Sequence, residues 1–153
     1  MPIDPQDILR LEQADVSTYR HRYVPGAVHV GIYRIFAIWP DKLEEIAEQD
    51  GEWRENAVVF LEANPRYFRS GYDKAQLLRR LKRADLSSDH KRRLRRVVLA
   101  AVERSGGVEF RQYCHLAARL TSIDLSAGLL RLANSDDHGV RRRARWMSEH
   151  CLP

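Results

Sequence analysis

The sequence predicts an all-α protein, a single-domain stack of about eight helices paired as antiparallel hairpins. Three observations carry that expectation. A phrase recurs three times: Trp53-Arg54 with Ala57 and Leu61, Leu94-Arg95 with Val98 and Val102, and Val140-Arg141 with Ala144 and Ser148. An apolar residue, an adjoining Arg, a small or β-branched residue four positions on and an apolar one at eight mark one helix face; only Ser148 departs from it. The copies are 41 and 46 residues apart, the spacing of repeated helical hairpins. Finally, 153 residues with 44% hydrophobic content suffice for one domain with a buried core, and the apolar stripes are separated by short turns.

The elements follow in order. Asp4-Pro5-Gln6-Asp7 reads as a helix start, with Asp4 accepting from free amides, Pro5 at the first helical position and Asp7 at the positive end; this helix should run over 4–14. Residues 15–26 read as a connection closed by Pro25-Gly26, making 1–26 the less regular part of the domain. Residues 27–39 are the most apolar segment, expected to be a central buried helix ending before Pro40, although Val28, Val30 and Ile32 alternate like a strand. A short acidic helix over 41–49 turns Leu43, Ile46 and Ala47 inward, with Gly51 as its C-terminal cap. The first phrase occupies a helix over 52–62 that stops at Asn64-Pro65. Residues 65–73 read as a hinge-like segment, followed by a helix over 74–83 with Leu77, Leu78 and Leu81 on one side. Ser87 or Ser88 caps a helix over 89–104 that ends at Gly106-Gly107. Helices over 108–120, 123–133 and 137–150 complete the chain.

The phrase at Val140, preceded by Ser135-Asp136-Asp137, resembles the second helix of a HEAT repeat, and the likeness extends over about 41–151. The resemblance implies an α-solenoid, a curved stack of hairpins whose concave face binds other macromolecules. It identifies no partner.

The net charge of +5 conceals a division. Residues 1–65 hold 6 Lys and Arg against 12 Asp and Glu, whereas residues 66–153 hold 20 against 9. Such asymmetry can steer an acidic partner to the C-terminal part, let two copies associate, or be satisfied internally. Of the basic residues 22 are Arg, a bias toward planar contacts with carboxylate or phosphate. The N-terminus lacks the pattern of a signal peptide and no apolar run reaches the length of a membrane span, so a soluble cytoplasmic protein is expected. Cys114 and Cys151 are expected to be reduced.

Candidate sites are mostly basic. Arg79, Arg80, Lys82 and Arg83, then Lys91, Arg92, Arg93, Arg95 and Arg96, then Arg141, Arg142, Arg143 and Arg145 fan across helix faces opposite leucines and valines. They read either as ridges that track phosphates or carboxylates, or as solvated faces paired with nearby Asp and Glu. Arg66, Tyr67, Phe68, Arg69, Tyr72 and Lys74 interleave cations with rings, which suits stacked bases or a protein partner, unless the rings pack back onto helix ends. Arg111, His115 and Arg119 fall on one stripe at four-residue spacing, while Cys114 turns inward with Phe110, Tyr113 and Ala117. Cys114-His115 and His150-Cys151 therefore do not offer the ligand spacing of a zinc site, and no metal or cofactor is expected. Asp89-His90 and Asp137-His138 sit at helix starts, where Asp caps; Glu44, Glu45 and Glu48 read as a solvated acidic face. No cluster has the spacing of a catalytic site, and no Gly-rich phosphate loop is present.

The expected function is noncatalytic binding: an adaptor, or an inhibitor or immunity-type protein, that presents Arg66, Tyr67, Phe68, Arg69, Tyr72, Arg92, Arg95, Arg96, Arg111, His115, Arg119, Arg142 and Arg145 to an acidic protein. The alternative is a nucleic-acid-binding module that uses the same ridges on phosphates. A third reading, an enzyme related to helical-repeat nucleic-acid repair proteins, would need a carboxylate or aromatic group in the groove floor, and the sequence names none. Self-association is possible, and a membrane partner is not expected.

Overall fold

The computed structural model describes residues 3–6, 8, 40–67, 70–104 and 107–153. Among the described residues there are no strands and seven α-helices: α1 (Pro40–Glu48), α2 (Glu52–Ala63), α3 (Ser70–Arg83), α4 (Ser88–Arg104), α5 (Phe110–Ala117), α6 (Ile123–Ala133) and α7 (His138–His150). The chain is thus all-α where it is described. At the N-terminus Asp4 takes the expected capping role, its Oδ1 accepting from the Gln6 amide at 2.8 Å. The rest of the helix expected over 4–14, the connection over 15–26 and the buried helix expected over 27–39 lie outside the described residues. Contacts divide the chain into two compact units, 1–85 and 86–153.

In the first unit α1 lies against both α2 and α3. Leu43 and Ile46 of α1 are buried with Ala57, Val58, Phe60 and Leu61 of α2 and Leu77, Leu78 and Leu81 of α3, the residues that helical periodicity turns inward. The last carbonyls of α1 have no intrahelical donors. Arg54 supplies them: it is only 2% exposed, its Nε donates to the Ile46 carbonyl at 2.9 Å and one terminal nitrogen to the Ala47 carbonyl at 3.0 Å. The other reaches the Asp85 carbonyl at 2.7 Å, and Asp50 stands 3.4 Å away as counter-charge.

The helix start at Ser70 is four residues earlier than the pattern around Leu77 indicates, because Gly71 and the polar first turn carry no apolar stripe. Gly51, expected to cap α1, instead adopts an extended conformation as the residue that opens α2. Asn64 ends α2 in the left-handed region at φ 47°, and its side-chain oxygen accepts from the buried Lys74 ammonium at 2.7 Å. Glu44 is not merely part of a solvated acidic face. It joins α1 to α3 by ion pairs to Arg80 at 2.9 Å and Arg83 at 2.6 Å, and the Arg83 hydrogen bond holds its carboxyl below the usual range.

In the second unit α4 lies against α5, α6 and α7, and α6 and α7 form a hairpin closed by residues 134–137. Leu94, Val98 and Val102 of α4, Cys114 and Leu116 of α5, Leu125 and Leu129 of α6, and Ala144 and Met147 of α7 are fully buried. The approach of α6 to α4 needs a small residue, since a Cβ at Gly128 would stand 2.6 Å from Leu99 Cδ1. Ser87, Ser122 and Asp137 each accept from the amide three residues on, at 3.1, 3.0 and 2.8 Å, and so begin α4, α6 and α7.

The Arg of the repeated phrase has the same kind of partner in each copy. Arg95 Nε donates to the Leu120 carbonyl beyond α5 at 2.9 Å, and Arg141 donates to the Ser135 carbonyl ahead of α7 at 2.7 Å. Arg143 adds a link from α7 to the end of α4, donating to the Val102 carbonyl at 2.8 Å.

Asp137 makes the second unit sensitive to acid. The Val140 amide, and to a smaller extent that of Gly139, hold its carboxyl below the ordinary aspartate range. The folded state therefore prefers the charged form, and this contribution is complete above the ordinary value of about 4 and fades as pH falls through the lowered one. Asp137→Asn keeps an acceptor at this position. Protection from hydrogen exchange at the first turn of α7, taken relative to the intrinsic exchange rate at each pH, should fall in acid in the wild type and show a flatter pH dependence in the variant.

Candidate functional site

The outward side of α7 gathers the groups best placed to meet a partner. Val140, Ala144 and Met147 turn inward, so helical geometry sends His138, Arg142, Arg145 and Glu149 to the opposite side and Trp146 to its edge. These residues and Arg141 line a shallow cleft of about 280 Å³. Trp146 is 42% exposed; its ring stacks on His150 with centroids 5.0 Å apart and meets Phe110 of α5 at 6.3 Å in a tilted arrangement. Arg142 and Arg145 are exposed, and no carboxylate among the described residues pairs with either. The unit that carries them has 13 Lys and Arg against 7 Asp and Glu. No family model, curated protein or solved structure matches the chain.

The other anticipated residues are dispersed. Arg96, Arg111 and Arg119 are exposed, and like Arg142 and Arg145 they pair with no described carboxylate. His115 is half-buried. Arg119 lies beyond the end of α5, in a turn where its amide donates to the Leu116 carbonyl at 2.8 Å, so the helical stripe holds only for Arg111 and His115. Arg92 is exposed and pairs with Asp89, while Arg95 is occupied by the Leu120 carbonyl. In the first unit Arg66 and Tyr72 are exposed, and Phe68 and Arg69 lie outside the described residues. Tyr67 is only 8% exposed and its hydroxyl donates to Asp73 at 2.6 Å; its ring is spent on packing and offers no face to a base.

Sequence reasoning passed over Trp146, and it read His138 only as the neighbour of a capping Asp, although it placed Arg141 in a basic ridge. The signal for Trp146 was available: a tryptophan two positions from Ala144 and one from Met147 falls off the stripe they share with Val140, where no core need explains it.

Among the described residues no three His, Cys, Asp or Glu side chains converge as metal ligands. Burial pushes the Tyr113 hydroxyl up, and burial with the neighbouring Cys151 does the same to the Cys114 thiol, so both stay protonated and poorly nucleophilic. No described helix is long and apolar enough to cross a membrane.

The split among the α4 arginines is testable. Arg95→Ala should lower the melting temperature by about 5–10 °C, since a carbonyl at a helix end loses its donor. Arg96→Ala should leave melting within about 2 °C, as exposed substitutions do. Equal effects would show that the Leu120 contact carries no stability.

Proposed function

We propose that the protein is a noncatalytic binding module of HEAT-like hairpins whose α7 face docks an acidic protein surface. The observation that carries this reading is the juxtaposition of Arg142 and Arg145, which pair with no described carboxylate, with the half-exposed Trp146 around one shallow cleft. Arg and Trp are the side chains that most often anchor interfaces, and two adjacent guanidiniums match paired carboxylates. The common role of Arg54, Arg95 and Arg141 as donors to main-chain carbonyls supports the repeat architecture. The free thiols of Cys114 and Cys151 fit action in the reducing cytoplasm.

An acidic protein suits this surface better than a nucleic acid. His150 already stacks on Trp146 and Phe110 packs beside it, so a base must displace a ring to stack there. Glu149 lies in the same cleft and repels phosphate, whereas a protein partner can answer a mixed row of charges.

The test compares fluorescence anisotropy of labelled acidic peptides containing Leu or Phe with that of single- and double-stranded RNA and DNA across a salt series. The peptides should bind more tightly, and Arg142→Ala/Arg145→Ala should weaken them at least tenfold, about 1.4 kcal/mol or more, without changing the melting curve. Tighter nucleic-acid binding with a log-linear salt slope of several phosphates would overturn the reading in favour of phosphate tracking.

A further inference from the structure

We propose that α6 pairs two copies of this chain, antiparallel, about a two-fold axis between Ala127 and Gly128. The inward side of α6 is committed to its own unit through Leu125, Leu129 and Leu132, with Gly128 set close to Leu99. Its outward side carries an apolar stripe, bordered by exposed Ser126: Ile123 is 88% exposed and Leu130 66% exposed, with exposed Ala127 between them. Residues at i, i+4 and i+7 form one straight stripe. A solvated face is ordinarily polar there, and this one places its two large apolar groups at either end of a small one.

The flanking charges select the occupant. Asp124 and Arg131 lie along the same edge of the stripe, both exposed, and neither pairs with a described side chain. Seven residues separate them, roughly 10 Å along the axis, too far to meet each other. An antiparallel second helix of the same sequence, centred between Ala127 and Gly128, reverses their order. Asp124 of one copy then stands opposite Arg131 of the other at both ends of the contact, and Ile123 packs beside Leu130 of the second copy. A parallel arrangement would set like charges together. Complementarity of this kind is isologous, each copy supplying both halves of the same contact. The small Ala127 of each copy lies beside the axis, which allows the helices a close approach. A single-helix contact buries on the order of 800 Å², the small end for association, so the dimer is weak and reversible.

Sedimentation velocity of the full chain from low micromolar to near-millimolar concentration, at physiological salt, tests this. The weight-average mass should rise from 17.8 kDa toward twice that value. Ile123→Lys/Leu130→Lys should abolish the rise while keeping the wild-type melting curve, since both side chains are exposed. Asp124→Arg should also abolish it, and Asp124→Arg/Arg131→Asp should restore it, the two reversals re-forming both ion pairs. A wild-type chain that stays monomeric throughout would overturn the proposal. So would association that survives the lysine pair or Asp124→Arg, and a folded double reversal that remains monomeric would overturn the antiparallel register.

Discussion

Leu94→Asp should leave residues 86–153 without a cooperative unfolding transition. Leu94 is fully buried on α4, the helix that touches α5, α6 and α7. A carboxyl at that depth has no partner, ionised or protonated, and its burial together with the lost leucine packing costs more than about 4–5 kcal/mol. A unit of this size is stabilised by only about 3–10 kcal/mol in total. Circular dichroism on heating should therefore show loss of the transition belonging to this unit. A melting curve close to wild type would sink the placement of the second phrase on the core.

Arg54→Ala should destabilise the first unit by about 3–5 kcal/mol, an effect expected of a buried charge network and not of an exposed arginine. The substitution deprives the Ile46, Ala47 and Asp85 carbonyls of a donor at once. Arg54→Lys should recover less than half of the loss, because a single ammonium cannot span three acceptors held by a planar fork. Urea denaturation followed by tryptophan fluorescence, with Trp53 adjoining the site, reads both changes. Equal stability of the Lys variant and the wild type would show that charge alone suffices.

The helices were legible because their faces repeat. Leu94, Val98, Val102, Val140 and Ala144 are buried as periodicity requires, and Asp4, Ser87 and Asp137 cap as short polar side chains do. The partners of long side chains were not legible. Periodicity places Arg54 beside an inward stripe but does not say that it reaches the end of another helix 8 residues back and a carbonyl 31 residues on. Glu44 was hidden for the same reason, since its partners, Arg80 and Arg83, are brought to it only by the packing of α3 on α1. Tyr67 misled because sequence shows a ring between cations and not the Asp73 carboxylate that receives its hydroxyl. In the candidate site Arg142 and Arg145 were foreseen, whereas the cleft and Trp146 emerge from which side of α7 stays uncovered.

The carbonyl-seeking arginines bear on how such a chain can change over generations. A guanidinium that grips the main chain asks nothing of the side chains at the receiving end, since every residue carries the same acceptor. Substitutions near Leu120 or Ala47 can accumulate without severing the tie, whether the gripped helix end lies before the Arg in the chain, as at Ala47, or after it, as at Leu120. The three phrases therefore share little more than an Arg and an apolar stripe, and the outward surfaces remain at liberty to diverge toward new partners.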